Sequence, residues 1–263
     1  MIKYGGNAMI NEKVKNSVVS NIAELQNLGF RIVIVHGGGP FIKSILDKVK
    51  IESKFVAGHR KTSKEAIKYI EMTLRGEVNT EIVMLLNNKG RKAIGLSGKD
   101  AGLAIAKRRY HEEMGKKIDI GLVGDIERVD PQILYDLLEK DYTPVIACIA
   151  ADAKGNTYNV NADMMAGAIA GALKADEYIV LTDTDGLRKD KDKAKSLIKN
   201  ISSKEVQKLF GSSIEGGMIP KIESCQIALK NGAAIARIIN GTEIDILLKA
   251  LDQNSVTGTI ITK

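Results

Sequence analysis

The segment Ile32-Val33-Ile34-Val35-His36-Gly37-Gly38-Gly39-Pro40 runs four β-branched residues through one histidine into three glycines and a proline. A continuous apolar run of this kind reads as a central strand buried on both faces. The glycines that follow let backbone N–H groups approach an anion, because no Cβ stands in the way. Pro40 suits the first turn of a helix, whose positive dipole end would then face the same place. The arrangement also occurs at Met1-Ile2-Lys3-Tyr4-Gly5-Gly6-Asn7, where a lysine is added. Two glycine turns at neighbouring strand ends, one carrying a lysine, point to phosphate chemistry.

Outward from these turns, strands and helices alternate, which implies an α/β fold with a parallel or mixed sheet covered on both faces. Ile2-Lys3-Tyr4 reads as the first strand. Val14, Val18, Ile22 and Leu25 form a helical stripe over Glu12 to Leu28, closed by Gly29. Helices are expected over Pro40 to Val49, from Ser63 to about Leu74, and over Thr80 to Asn87. Strands are expected at Ala93 to Leu96 and Thr143 to Ile149. Between Leu103 and Arg128 the helical period fails, and Gly115, Gly121 and Gly124 mark hairpins laid over one edge of the sheet. Asp130-Pro131 opens a helix to about Lys140, and Asn161 to Leu173 is a small-residue helix suited to close packing. Strand Glu177 to Leu181 precedes Thr182-Asp183-Thr184-Asp185-Gly186. Helices near Ser203 to Phe210, Met218 to Asn231 and Glu243 to Ala250, with strands Ala234 to Ile239 and Thr259 to Ile261, complete the chain. A boundary between two lobes is expected at Lys174-Ala175-Asp176.

Composition narrows the class. The 263 residues, 44% hydrophobic and 27% charged, suit a globular protein large enough for a substantial core. No apolar run approaches the ~20 residues of a membrane span, and no basic-then-apolar leader occurs. Cys148 and Cys225 are far apart in apolar surroundings, which implies buried, unpaired thiols in a reducing compartment. The expected location is the cytoplasm. The formal charge of +7 would draw anionic ligands. Its lysines are interleaved with acids, as in Lys189-Asp190-Lys191-Asp192-Lys193, and aromatic residues make up 4% of the chain. That is a solvated surface rather than a stacking platform for nucleic acid.

Several nucleotide and metal signatures are missing. Gly98-Lys99-Asp100 fails the P-loop pattern at its third residue, and no Gly-x-Gly-x-x-Gly follows a strand. His36, His59 and His111 have no metal-ligand spacing, and His36 is expected to support its turn. Asp183-Thr184-Asp185-Gly186 reads as a turn after a strand, not as a calcium loop. What remains is a set of polar groups at strand ends and helix starts. Lys3 lies beside Gly5 and Gly6; Asn159, Asn161 and Asp163 stand at the entry to the small-residue helix; Lys221 follows Gly216-Gly217-Met218-Ile219-Pro220. Singly, each has a plain account: Asp163 as a helix cap, Lys221 as surface charge. Their joint occurrence carries the case for a site.

That joint pattern resembles the amino-acid kinase family over essentially the full length, and within it the members that phosphorylate N-acetyl-L-glutamate. The matching stretches are Ile2 to Met9, Val33 to Pro40, Gly58-His59-Arg60-Lys61-Thr62, Leu96-Ser97-Gly98-Lys99-Asp100 and Val123-Gly124-Asp125. Tyr158 to Asp163, Leu181 to Gly186 and Gly216 to Lys221 complete them. The resemblance implies a three-layer αβα sandwich around an open, mainly parallel sheet. It implies an N-terminal lobe, residues 1–175, for the acyl amino acid and dimerisation, and a C-terminal lobe, 176–263, for ATP.

By the same resemblance, Lys3 and Lys221 would neutralise the transferred phosphoryl group, and Asp163 would orient both lysines. Gly5 and Gly6 would bind phosphate. Gly38, Gly39, Arg60 and Asn159 would bind the acyl amino acid, Arg60 gripping its α-carboxylate. Thr182, Asp183, Thr184, Gly186, Leu187, Ser213, Gly217 and Met218 would contact the nucleotide. The implied reaction transfers phosphate from ATP, with Mg²⁺, to the γ-carboxylate of N-acetyl-L-glutamate, the second step of arginine biosynthesis. A γ-carboxylate, which ordinarily titrates near ~4.3, is already ionised at neutral pH. No general base is then needed, in keeping with the lack of a catalytic histidine.

Feedback-inhibited hexameric members carry an extra N-terminal helix that links dimers. This chain opens on its first strand, so the resemblance implies a plain homodimer. Lys3 to Met9 nevertheless looks more like the arginine-sensitive branch, which leaves arginine control open. The alternatives are a kinase of the same fold for N-acetyl-aminoadipate, carbamate, aspartate or a nucleoside monophosphate, and a catalytically silent ligand sensor. Retention of Lys3, Asp163 and Lys221 together speaks against the sensor.

Overall fold

A computed structural model describes residues 1–190, 192–251 and 256–263; Lys191, in the alternating charge run, lies outside them. The first half is built from β1 (Ile2–Tyr4), a 3-10 turn (Gly6–Met9), α1 (Glu12–Asn27), β2 (Ile34–His36) and α2 (Gly39–Lys48). The short pair β3 (Phe55–Val56) and β4 (His59–Arg60) follows, then α3 (Ala66–Glu71), a π-helical run (Met72–Val78), α4 (Asn79–Asn88) and β5 (Lys92–Ser97). Next come β6 (Ala104–Glu113), β7 (Lys116–Val129), α5 (Gln132–Glu139), β8 (Tyr142–Ala147), β9 (Ile149–Ala151), β10 (Thr157–Val160) and α6 (Ala162–Ala172). The remainder comprises β11 (Glu177–Thr182), β12 (Asn200–Ser202), α7 (Ser203–Val206), α8 (Met218–Lys230), β13 (Ile235–Asn240), α9 (Ile246–Lys249) and β14 (Thr259–Thr262).

Eight strands form one sheet in the order β12-β14-β13-β11-β1-β2-β8-β5. Every neighbouring pair is parallel except β13 with β14. Alternate residues of each strand face opposite layers. Ile2, Tyr4, Ile34, Val145, Leu181 and Ile239 pack with Val18 and Ile22 of α1, Ile82 and Leu86 of α4, and Leu247 of α9. Val35, Ile146, Val180 and Ile238 face the other way, onto Ile42 and Leu46 of α2, Ile169 of α6 and Ile222 of α8. This is the three-layer sandwich expected, with a mainly parallel open sheet.

Three expectations change. The region from Leu103 to Arg128 does form a hairpin, β6 with β7, but it is not laid on the main sheet. It closes with β9 and β10 into a separate four-stranded barrel. The strand Thr157–Val160 is not evident from sequence because four residues with alternating polarity carry little signal. The two helices expected around Leu74 and Thr80 are joined by the π-helical run, whose wider turn a 3.6-residue period does not register. The expected helix Glu243 to Ala250 shortens to four residues, Ile246–Lys249, after Asp245 at φ +58°.

Candidate active site

β1 lies between β2 and β11, which are connected to it on opposite sides, so its carboxyl end is the crevice where such sheets bind ligands. The alternation that sends Ile2 and Tyr4 towards α1 sends Lys3 to the other face, against α6. Lys3 is 7% exposed, and its Nζ stands 2.9 Å from Asp163 Oδ1, a charge pair rather than an aligned hydrogen bond. Lys221 Nζ, from the first turns of α8, lies 3.5 Å from Asp163 Oδ2. Two lysines from the two ends of the chain thus share one buried carboxylate. Burial alone would raise the Asp163 pKa, but the charges of Lys3 and Lys221 outweigh it and hold the carboxyl below its ordinary value.

The helix start explains how Asp163 is free for this. Asn161, not Asp163, is the N-cap of α6: its Oδ1 accepts from Asp163 N (2.8 Å) and Met164 N (3.2 Å). The capping role considered for Asp163 is therefore excluded. α6 and α8 approach closely because position 167 is glycine; a Cβ there would stand 2.4 Å from Ser224 O. That contact sets where α8 presents Lys221.

On one side of this trio is a cavity of about 170 Å³. Gly38, Gly39, Arg60 and Asn159 all line it, with Ile42, Phe55 and Cys148. Arg60 is buried, donates through Nη2 to Gly39 O (3.2 Å) and through Nη1 to Ser53 Oγ, and stacks 4.6 Å over the Phe55 ring. Burial lowers its pKa, partly offset by Asp47, yet a guanidinium stays charged. Thr62, not singled out from sequence, ties the wall together: its Oγ1 donates to Arg60 O (2.8 Å) and accepts from Asn159 Nδ2 (3.3 Å). Gly5 and Gly6 line neither this cavity nor the larger one described next. Gly5 instead lies beside the Lys3 amine, where a Cβ would stand 3.3 Å from Nζ, and Gly6, at φ +69°, opens the 3-10 turn.

A second cleft of about 450 Å³ lies on the α8 side. Thr182, Asp183, Thr184, Gly186, Leu187, Ser213, Gly217 and Met218 all line it, as does Lys221. Arg188 and Glu215 line it too; neither stood out in the sequence, since a lone charge in a loop has no period or spacing to mark it. The Asp183-to-Gly186 segment is a turn after β11, with Gly186 at φ +141° and Asp185 Oδ1 accepting from Asn240 Nδ2 at 2.9 Å. The two cavities flank Asp163: Asn161 and Ala162 line the smaller, and Lys221 lines the larger.

His36 supports its turn as expected. Burial drives its pKa down to about 4, so the ring is neutral. Its Nδ1 lies 2.9 Å from Gly37 O and its Nε2 2.9 Å from Asn79 Nδ2. Cys148 and Cys225 are buried and unpaired. Among the described residues, no three His, Cys, Asp or Glu side chains are grouped to hold a metal ion. Any Mg²⁺ would be carried by nucleotide phosphates, with at most one or two carboxylates such as Asp183 or Glu215 nearby.

A carboxylate clamped between two lysines, at the switch point of a parallel sheet and beside two cavities, is an arrangement suited to phosphoryl transfer. Residues 1–240 match the amino acid kinase family, and the chain belongs to it. It is 42% identical to the acetylglutamate kinase of Caldicellulosiruptor bescii over 262 residues, 99% of this chain and 89% of the relative. It is likewise 42% identical to the acetylglutamate kinase of Petrotoga mobilis, over 100% of this chain and 87% of the relative. Among solved structures, smu.665 of Streptococcus mutans superposes with a TM-score of 0.79 at 28% identity, covering 99% of this chain and 97% of that one.

Proposed function

We propose that this protein transfers the γ-phosphoryl group of ATP to the γ-carboxylate of N-acetyl-L-glutamate, giving an acyl phosphate within arginine biosynthesis. The observation that supports the mechanism is the shared carboxylate: the amines of Lys3 and Lys221 both stand beside Asp163, and Lys221 lines the larger cleft. The smaller cavity takes the acyl amino acid, with Arg60 binding its α-carboxylate through both fork nitrogens and Asn159 on the same ligand. The larger cleft takes the nucleotide, and Gly5 and Gly6 contribute N–H groups to phosphate. The reaction brings two anions together, so its barrier is chiefly electrostatic. Lys3 and Lys221 neutralise the equatorial oxygens of the migrating group as its bond to the ADP oxygen breaks, charge builds on that leaving oxygen, and a γ-carboxylate oxygen bonds to phosphorus. Asp163 fixes the two amines without itself taking a proton. Mg²⁺ held by the ATP phosphates would supply further charge neutralisation.

In this reading residues 1–175 serve the acyl amino acid and dimerisation, and 176–263 the nucleotide. A homodimer is part of the proposal, supported by the family resemblance, and sedimentation velocity tests it. A cytoplasmic location is supported by the two buried free thiols. The deciding assay measures ADP release from MgATP with N-acetyl-L-glutamate, N-acetyl-L-aminoadipate and carbamate in parallel. The highest kcat/KM is expected for N-acetyl-L-glutamate. One extra methylene shifts discrimination by only ~1–3 kcal/mol, so the aminoadipate comparison is the stringent one. A higher kcat/KM for either alternative acid overturns the substrate assignment.

A further inference from the structure

Asn79 is 1% exposed, at the first residue of α4 and directly after the π-helical run, and no motif in the sequence draws attention to it. Its amide group has a single consistent orientation. Nδ2 lies 2.9 Å from Val145 O, which accepts and cannot donate. Oδ1 lies 3.1 Å from Arg75 Nη1, which donates and cannot accept. The same Nδ2 is 2.9 Å from His36 Nε2, so that nitrogen must be the acceptor. The neutral ring therefore carries its proton on Nδ1, which donates to Gly37 O at 2.9 Å.

The surroundings are fitted to this arrangement. A Cβ on Gly95 would fall 2.0 Å from Asn79 Oδ1 and 2.9 Å from Arg75 Nη1. Leu74, inside the π-helical run, packs so closely under the glycine turn that a Cβ on Gly38 would fall 2.6 Å from its Cδ2. Gly37 N donates to Tyr4 O at 3.0 Å, tying the turn to β1 and so to the strand of Lys3. A carbonyl held by His36 and an N–H held by Tyr4 leave Gly37 no freedom to rotate its peptide planes.

We infer that Asn79 is a positioning residue for the proposed reaction: by dictating the His36 tautomer it locks the Gly37 carbonyl, and thereby keeps Gly38 and Gly39 turned to the acyl-substrate cavity. Its effect reaches the substrate through His36 and not by contact. The inference rests on the proposed function for its kinetic consequence, but not for the tautomer it assigns.

Two variants test it. Asn79→Leu removes the donor at nearly constant volume, and Asn79→Asp keeps the shape while placing an acceptor against Nε2. Nitrogen-15 NMR of the histidine ring in the unaltered protein is expected to show a proton on Nδ1 and none on Nε2 at neutral pH. A proton on Nε2 there overturns the inference whether or not the enzyme uses N-acetyl-L-glutamate. In Asn79→Asp, Nε2 is expected to gain a proton. Either folded variant is expected to raise KM for the acyl substrate or lower kcat by ~10²-fold, the scale of a small misplacement at a reacting centre. KM for ATP should change less than about two-fold, which a general loss of structure would not produce. A folded variant with altered ring protonation and unchanged acyl-substrate kinetics also overturns it. Failure of the unaltered protein to turn over N-acetyl-L-glutamate, with the ring protonated as assigned, counts instead against the substrate assignment.

Discussion

Lys3 and Lys221 are bridged by a single carboxylate, Lys3 Nζ at 2.9 Å from Asp163 Oδ1 and Lys221 Nζ at 3.5 Å from Asp163 Oδ2. In the proposed reaction this bridge would hold each amine where charge develops, with little rearrangement needed at the moment of transfer.

Replacing either lysine by alanine should lower kcat by ~10²-fold or more, the usual effect of removing one charge-stabilising donor. KM for each substrate should move less, because the contact strengthens in the transition state. Steady-state ADP release measures both. Wild-type turnover in Lys3→Ala or Lys221→Ala would reject the assignment.

The Asp163 carboxyl has its pKa lowered in the folded state relative to the unfolded chain, where it lies near ~3.9. Its stabilising contribution is thus complete above that value and is lost as pH falls through the folded value. Asp163→Asn leaves two lysines without their counter-charge and should cost about 3 kcal/mol at neutral pH. Urea unfolding at a series of pH values should show this gap narrowing in strong acid. A gap that is constant with pH would contradict the argument.

Arg60→Lys keeps the charge but loses the fork and the stacking on Phe55 at 4.6 Å. A charge-assisted hydrogen bond lost at this position costs about 2 kcal/mol, roughly a 30-fold rise in KM for the acyl substrate. KM for ATP should be unaffected. Separate titrations of the two substrates distinguish these effects.

Gly38→Ala would place a methyl group 2.6 Å from Leu74 Cδ2, in a region packed on both sides. Overpacking of this kind costs ~1–3 kcal/mol. Leu74→Ala alone should cost ~2–5 kcal/mol, since the residue is fully buried. In the double variant the added methyl enters space that Leu74 vacates, so the two losses should not sum. Thermal unfolding of the four proteins provides the cycle.

The layers and most elements were legible because apolar runs such as Ile32 to Val35 and stripes such as Val14-Val18-Ile22-Leu25 have a period that burial enforces. The glycine turns were legible because few other reasons place three glycines after a strand. The barrel was not, because β9 and β10 are short and its closure depends on β7 and β6, which are distant in the chain. Thr62 and Asn79 are not legible for a related reason: each gains meaning from a neighbour supplied by another element, Asn159 for Thr62 and His36 for Asn79. Asn161 and Asp163 both stand out in the sequence, yet which one caps the helix depends on the lysines that occupy Asp163.

Gly167 of α6 and Ser224 of α8 meet main chain to main chain, with no side chain between them. The separation of the two helices at this point is consequently ruled by peptide dimensions rather than by side-chain bulk. A larger residue at position 167 would push α8, and Lys221 with it, away from Asp163 without removing any charged group. Such a protein would retain its full set of reactive residues and fail for want of reach.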